Sequence, residues 1–218
     1  MNGDGPGDEP LLAVLDYGIG NLRSAEKALL HLGAPARLVT DPDEVAGAAG
    51  VVLPGVAAFG RSAEALRATG LEGAARRAIE GGVPFLGICV GLQLLYEGSE
   101  ESPGAVGLGV LAGRVRRLPP GVKHPQMQWN RLHRRGDGAG LLAGLDEAPF
   151  MYFLHSFAPP VGEETVATCD YGGDVAAAAE HDNVWGTQFH PEKSGVAGLA
   201  VLANFVERCQ ARLGQPEL

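Results

Sequence analysis

The sequence predicts an α/β fold in which helices flank a mostly parallel central sheet, with an additional region of antiparallel strands. Three observations lead to this prediction. Up to about residue 96, short apolar runs alternate with amphipathic segments, which is typical of parallel strands joined by helices. From about residue 111, predicted strands follow one another through short connections, which is typical of antiparallel pairing. The 218 residues, 45% of them hydrophobic and 20% charged, suit a single domain with a full-sized core.

The first half of the chain contains the predicted parallel strands and the helices between them. Residues 11–15 form the first apolar run, and a turn rich in glycine follows it. Asn21 is the predicted N-cap of a helix whose apolar residues recur at helical spacing until Gly33 ends it. The elements predicted next are strands over residues 36–40, 50–53 and 83–88, and helices over residues 62–68, 71–80 and 90–96.

The second half consists mainly of predicted strands and closes with a helix. The strands are predicted over residues 114–118, 127–134, 150–157, 165–169, 175–180 and 184–189. Residues 194–213 form the closing helix, with Leu199, Leu202, Phe205 and Val206 on one face. Residues 1–10 are acidic and rich in Gly and Pro, and we interpret them as a disordered tail. Residues 11–218 are then the single domain.

Composition and charge exclude several classes of function. The net charge is −9 and no run of Lys and Arg offsets it, so a nucleic-acid-binding protein is not expected. The three cysteines are odd in number and contain no C-x-x-C pair, which argues against a disulfide framework or a zinc site and suits a reducing compartment. The first residues lack the parts of a signal peptide, and no apolar run approaches membrane-spanning length. We expect a soluble cytoplasmic protein.

The strongest local motif is a Gly-x-Cys-x-Gly turn within residues 83–93, where a predicted buried strand meets a predicted helix. This is the thiol form of a nucleophile elbow, in which small residues at Gly87 and Gly91 let the chain fold back tightly. Cys89 would lie at a helix N-terminus, which favours the thiolate, and the Val90 amide could donate to an oxyanion. An inert buried cysteine explains the motif equally well when it is taken alone.

A second motif, within residues 186–194, favours the catalytic interpretation. It contains the sequence His190-Pro191-Glu192 after a predicted strand. In an extended segment, side chains two residues apart project to the same side, so the carboxylate of Glu192 could orient the imidazole of His190. Cys89, His190 and Glu192 then act as nucleophile, base and orienting group.

Together these motifs resemble the class I glutamine amidotransferases, the type with a catalytic triad. In more detail the chain resembles the glutaminase subunits of imidazole glycerol phosphate synthases, over nearly everything after the tail. The matching segments lie at residues 16–21, 53–60, 87–93, 124–130, 152–156 and 186–194. Those at residues 16–21, 124–130 and 152–156 distinguish these subunits from the rest of the superfamily.

The resemblance implies a reaction and the residues that perform it. Glutamine would be hydrolysed to glutamate and ammonia through a thioester on Cys89, with His190 and Glu192 completing the triad and no metal or organic cofactor. The remaining implied site residues bind the substrate or the oxyanion. They are Gly55, Gln93, Ser156 and Phe157 for glutamine, and the backbone N–H groups of Val56 and Val90 for the oxyanion hole.

The resemblance also implies a partner. The partner would be the cyclase of the same synthase, a (β/α)8 barrel through which ammonia passes during histidine biosynthesis, and the two chains would form a heterodimer. Asn21, Trp129, Tyr152 and Lys193 match the family's interface positions. Three of them also have simpler explanations: Asn21 as an N-cap, Trp129 as a half-buried strand aromatic and Lys193 as a solvated lysine. His155 is more simply a packed histidine than a second base.

Two positions depart from the family pattern. Ala57 stands where the oxyanion strand usually has Gly, and alanine would cost about 1–2 kcal/mol there if the position required a positive φ. Gln128 stands where the family usually has Gly before Trp129, at the implied interface.

Two other functions remain open from the sequence. The first is a glutaminase that serves pyridoxal phosphate, anthranilate or purine synthesis. The triad is equally consistent with it, but residues 16–21 and 124–130 are not. A non-catalytic domain on the same scaffold would require that Cys89 resist a glutamine-like alkylating agent.

Overall fold

A computed structural model describes residues 11–136 and 140–213, so the predicted tail lies outside the described residues. Thirteen strands and five α-helices are found there. The strands are β1 (Leu12–Leu15), β2 (Ala36–Val39), β3 (Gly50–Gly55), β4 (Phe85–Cys89), β5 (Tyr96–Ser99), β6 (Leu111–Arg117), β7 (Gln126–Arg131), β8 (His133–Arg134), β9 (Phe150–His155), β10 (Phe157–Ala158), β11 (Thr165–Asp170), β12 (Asp174–His181) and β13 (Val184–Thr187). The helices are α1 (Leu22–His31), α2 (Phe59–Ala68), α3 (Leu71–Glu80), α4 (Val90–Leu94) and α5 (Gly195–Leu213).

The central sheet has eight strands in the order β2-β1-β3-β4-β13-β12-β11-β8. From β2 to β13 every neighbouring pair is parallel, and from β13 to β8 every pair is antiparallel. A three-stranded sheet (β10-β6-β5) and a two-stranded sheet (β7-β9) complete the fold. The α/β prediction, with its change to antiparallel pairing in the second half, is therefore confirmed.

The core follows from the apolar runs. Every residue of β1, β3 and β4 is buried, as expected for parallel strands covered on both faces by helices. The amphipathic helices bury one face each against the sheet, and α3 contributes Leu71 and three alanines. The largest fully buried side chains include Phe59, Phe85 and Phe205.

Several boundaries differ from the sequence-based predictions because tertiary pairing decides them. The helix predicted to residue 96 ends at Leu94, and β5 follows because it pairs with β6. The strand predicted over residues 127–134 is divided at the buried Leu132, since β7 pairs with β9 whereas β8 pairs with β11. Asn21 occupies the N-cap position of α1 as predicted, although its side chain makes no capping hydrogen bond.

Within the two described ranges, no helix is both long and apolar enough to cross a membrane. All three cysteines are buried and unpaired. Cys89 lies at the end of β4, Cys169 in β11 and Cys209 in α5.

Candidate active site

Cys89 lies at the sharp turn between β4 and α4. Its φ of 56° is a left-handed conformation that a residue with a side chain rarely adopts. The two flanking glycines make this turn possible. A Cβ on Gly91 would lie 1.7 Å from the carbonyl oxygen of Leu53, and a Cβ on Gly87 would lie 2.7 Å from the backbone of Gly91. The elbow therefore requires glycine at both positions, as the sequence indicates.

Cys89 is only 2% exposed, and polar atoms of two residues besides His190 lie near its sulfur. Sγ lies 3.8 Å from the carbonyl oxygen of Leu154 and 3.7 Å from the side-chain nitrogen of Gln188. The helix that follows has only five residues, so its dipole stabilises a thiolate less than a full-length helix would. Stabilisation of a thiolate at this position therefore depends more on other groups around the sulfur than the sequence suggests.

His190 and Glu192 make the contact that the motif predicts, but by a different local structure. β13 ends at Thr187, and Pro191–Lys193 form a 3-10 turn instead of continuing the strand. The turn brings the Oε1 atom of Glu192 to 2.8 Å from Nδ1 of His190. Because a carboxylate only accepts, Nδ1 carries the proton and Nε2 is free for chemistry. The predicted extended geometry was wrong, whereas the pairing was right.

The backbone around His190 is fixed on both sides. Its amide donates to the carbonyl of Tyr152 at 2.9 Å, and its carbonyl accepts from the hydroxyl of Ser194 at 2.6 Å. The same hydroxyl accepts from the amide of Tyr152 at 3.0 Å. The imidazole is therefore held between β9 and the start of α5.

The electrostatics of His190 favour the protonated ring. Burial lowers its pKa, but the charges and hydrogen bonding of Cys89 and Glu192 act in the opposite direction, and the pKa is raised above its ordinary value. Cys89 is near enough to attract the charged ring, yet Nε2 of His190 has no aligned hydrogen-bond partner in the resting structure. These interactions therefore stabilise the imidazolium form of His190 beside Cys89.

A cavity of about 220 Å³ opens over the sulfur. It brings together seven of the residues singled out from the sequence as nucleophile, base, oxyanion donors or substrate contacts. Gly55 does not line the cavity; it pairs in register with Cys89 at the end of β3. The lining residues are Val56, Ala57, Ala58, Cys89, Val90, Gln93, Glu101, Pro125, Leu154, His155, Ser156, Phe157 and His190.

Two polar residues of the site were not identified from the sequence. Glu101 is the one carboxylate among the described residues that line the cavity, and its Oε2 accepts from the amide of Phe59 at 2.7 Å. Gln188 is fully buried beside the sulfur. Glu101 lies in an acidic run without a recognisable motif, whereas Gln188 lies inside the His-Pro-Glu segment and could have been suspected there.

The segment after β3 carries the predicted oxyanion donor Val56, whose side chain is half exposed. The hydroxyl of Tyr17 donates to the carbonyl of Pro54 at 2.6 Å, which holds the peptide before Gly55 in place. Burial raises the pKa of Tyr17, so the hydroxyl keeps its proton. Among the described non-glycine residues, positive φ occurs only at Cys89 and Asp182, so Ala57 carries no left-handed strain.

An exposed apolar face lies beside the site on the two-stranded sheet of β7 and β9. Trp129 pairs in register with Tyr152, and their rings meet edge to face with centroids 6.0 Å apart. Met127, Trp129 and Phe150 are each about half exposed or more. Asn21 is exposed, and Lys193 is partly buried next to the His190 turn. An apolar patch of this kind is typical of an interaction surface.

The chain is similar to known proteins along most of its length. The family model described as "Glutamine amidotransferase class-I" matches residues 13–209. The chain is 48% identical over 202 residues to the imidazole glycerol phosphate synthase subunit HisH of Methanothermobacter thermautotrophicus, covering 92% of this chain and 100% of that protein. The protein of the same name from Deinococcus radiodurans is 46% identical, covering 90% of this chain and 93% of that protein.

Solved structures agree on the fold. A crystal structure of a glutamine amidotransferase superimposes with a TM-score of 0.73 at 22% identity, covering 91% of this chain and 99% of that chain. The structure of PurLQS from Thermotoga maritima superimposes with a TM-score of 0.71 at 20% identity, covering 94% of this chain and 99% of that chain. At such identities the likeness concerns the fold alone.

Proposed function

The chain belongs to the class-I glutamine amidotransferase family, and on that premise we propose that it is the glutaminase subunit of an imidazole glycerol phosphate synthase. One observation carries the chemistry: a cysteine on a strained elbow faces a buried histidine whose other nitrogen is held by a carboxylate at 2.8 Å. The pathway assignment is supported by 43–48% identity to several proteins named as that synthase's HisH subunit, over about nine-tenths of this chain or more.

In the proposed mechanism His190 takes up one proton and returns it in each half of the reaction. His190 takes the thiol proton through Nε2, and the sulfur of Cys89 attacks the amide carbon of glutamine. His190 then returns the proton to the nitrogen, the C–N bond breaks, and ammonia leaves a γ-glutamyl thioester on Cys89. His190 next takes a proton from water, and the resulting hydroxide attacks the thioester carbon. The C–S bond then breaks and His190 returns the proton to the sulfur, which releases glutamate and regenerates the Cys89 thiol. Glu192 keeps Nδ1 protonated throughout.

The oxyanion formed at each attack is assigned to two backbone N–H groups. The amide of Val90 follows the nucleophile directly, as expected for an elbow. The amide of Val56 lies in the segment after β3, beside the cavity. Each such donor contributes roughly 100- to 1000-fold to the rate, so the orientation of the Gly55–Val56 peptide strongly affects turnover.

The glutamine substrate is assigned to the walls of the cavity. The carbonyl of Phe157 already accepts from Gln93 Nε2 and from His155 Nδ1, each at 2.9 Å. Ser156 and Phe157 can therefore best offer their amide N–H groups to the substrate carboxylate. Glu101 has the charge that complements the α-ammonium group.

The partner is proposed to be the cyclase of the synthase, a (β/α)8 barrel that forms a heterodimer with this chain and receives the ammonia. The exposed face of Met127, Trp129 and Phe150 offers aromatic anchors for it, and Asn21 and Lys193 would extend the same interface. Tyr152 links this face to the chemistry, because its carbonyl accepts from the amide of His190. The three free thiols favour a reducing compartment, and we propose the cytoplasm.

The test is glutamate release from glutamine by the purified chain, with and without the cyclase and its ribotide ligand. Strong activation that disappears in Cys89→Ala is the expected result. Cys169→Ala, which alters a buried thiol that does not line the cavity, is the matched control and should retain activity.

Two other outcomes would revise the proposal in different ways. If the activity depends on Cys89 but does not change when the cyclase is added, the glutaminase assignment stands and the assignment to the imidazole glycerol phosphate synthase is rejected. No activity under any condition, with Cys89 inert to a glutamine-like alkylating agent, would point to a non-catalytic domain.

A further inference from the structure

Gln188 touches the nucleophile but has no part in the mechanism described above. It is fully buried immediately after β13, and its Nε2 lies 3.7 Å from Sγ of Cys89. Its backbone amide donates to the carbonyl of Ala177 on β12 at 2.8 Å, so the residue is fixed to the sheet. A buried side-chain amide in this position either donates to the sulfur or opposes negative charge on it, depending on which way the amide is turned.

The direction of this amide follows from a chain of hydrogen bonds that begins at a backbone carbonyl. The carbonyl of Phe157 can only accept, so the atom of Gln93 at 2.9 Å from it must be the NH₂ group. The second hydrogen of that NH₂ group goes to Oε1 of Gln188, 3.1 Å away. Gln188 therefore turns its own NH₂ group towards Cys89.

The reversed orientation of either amide is unfavourable. Turning Gln93 would place two oxygens together at Phe157, and turning Gln188 alone would place two NH₂ groups together. Buried groups mismatched in this way lose a hydrogen bond and keep the cost of leaving water. The donor facing the sulfur is thus determined by the backbone and not by the charge of the sulfur.

We propose that Gln188 is a further catalytic residue, which donates a hydrogen bond to the sulfur of Cys89 and stabilises the thiolate that attacks glutamine. This inference rests on the proposed function, because it deepens the role of the same site. A hydrogen bond to an ionised acceptor is stronger than one to a neutral acceptor, so Gln188 favours the thiolate over the thiol. The five-residue helix α4 contributes less to this role than a full-length helix would.

The experiment measures the rate of alkylation of Cys89 by iodoacetamide against pH in the full chain, without glutamine. The rate measured for Cys89→Ala is subtracted, so that Cys169 and Cys209 do not contribute. Gln188→Met keeps a similar volume but cannot donate. We expect the pH midpoint of alkylation to rise by about one unit, corresponding to about tenfold less thiolate at a fixed pH below the midpoint.

Two further variants keep the test interpretable. Gln188→Glu keeps the side-chain length and places an acceptor next to the sulfur, so it should raise the midpoint at least as much as Gln188→Met. Thr187→Val removes a neighbouring buried hydrogen bond, from the threonine hydroxyl to the carbonyl of Phe189 at 3.0 Å, and should leave the midpoint unchanged. Near-UV circular dichroism identifies any variant that does not fold.

An unchanged midpoint in folded Gln188→Met and Gln188→Glu would overturn the proposal. Because alkylation needs no glutamine, this failure is separate from failure of the proposed function. If the wild type never hydrolyses glutamine but the Gln188 variants show the shifted midpoint, the hydrogen bond to the thiolate is supported and the proposed glutaminase function is refuted.

Discussion

His155 is expected to make the stability of the fold sensitive to mild acid. The residue is 6% exposed, its Nδ1 donates to the carbonyl of Phe157, and its Nε2 is buried without a partner. Burial, with a smaller contribution from the nearby His190, lowers its pKa to about 4 despite the opposing effect of the Phe157 hydrogen bond. The folded protein therefore keeps His155 neutral at pH values where an unfolded chain would protonate it.

The sign and size of the effect follow from linkage. The folded-state pKa is depressed below the unfolded value of about 6.5, so the stabilisation is complete above pH 6.5 and is lost as the pH falls towards 4. Between pH 7 and pH 5 the unfolded chain gains about 0.7 of a proton at this residue, and the folded chain gains only about 0.1. The free energy of unfolding should decrease by about 2 kcal/mol from this residue alone.

The assay is urea denaturation of the wild type and of His155→Asn at pH 7 and pH 5. Asparagine can still donate to the Phe157 carbonyl but does not titrate, so the variant should lack about 2 kcal/mol of the wild-type pH dependence. His31→Asn, at an exposed position on α1, is the control and should behave like the wild type. Equal pH dependence in His155→Asn and the wild type would refute the reasoning.

Three further predictions concern the elbow and the strand beside it. Gly91→Ala should destabilise the fold by about 4 kcal/mol or more in urea denaturation, because the added Cβ would overlap the Leu53 carbonyl. The control is Gly47→Ala, whose Cβ would meet open space and which should cause no such loss of stability. Equal effects of the two substitutions would contradict the argument. Tyr17→Phe leaves the buried Pro54 carbonyl without its partner and should cost about 1–3 kcal/mol in thermal or urea denaturation; a loss below about 0.5 kcal/mol would show that the hydrogen bond is unimportant. Ala57→Gly should lower stability by less than about 1 kcal/mol, because no positive φ is relieved there, and a gain in stability would mean that Ala57 is strained.

The parts of the fold that could be predicted are those that local physics determines. Helix α3 begins and ends where the sequence predicts, because its apolar residues recur at helical spacing and glycines follow Glu80. β5 could not be predicted, because Tyr96–Ser99 becomes a strand only through pairing with β6 in a separate sheet. The division between β7 and β8 has the same origin, since two different partner strands select the two pieces.

The candidate site also contains residues that could be predicted from local motifs and residues that could not. Cys89, His190 and Glu192 lie in short motifs whose spacing is informative, and the structure brings all three together. Glu101 could not be found, because it reaches the cavity from a loop after β5 and no local pattern indicates that. The direction of the Gln188 amide could not be found either, because it depends on a backbone carbonyl 31 positions earlier, at Phe157.

The sheet order also has a consequence for the timing of biosynthesis. β4, which carries Cys89, is a direct neighbour of β13, which leads to His190, yet residues 90–183 separate them in the chain. On the ribosome the amino-terminal strands emerge first, so a nascent chain carries Cys89 long before His190 has been translated. β13 must then insert between β4 and β12. The insertion that completes the sheet is therefore also the event that brings His190 to Cys89, so an unfinished chain lacks this pairing.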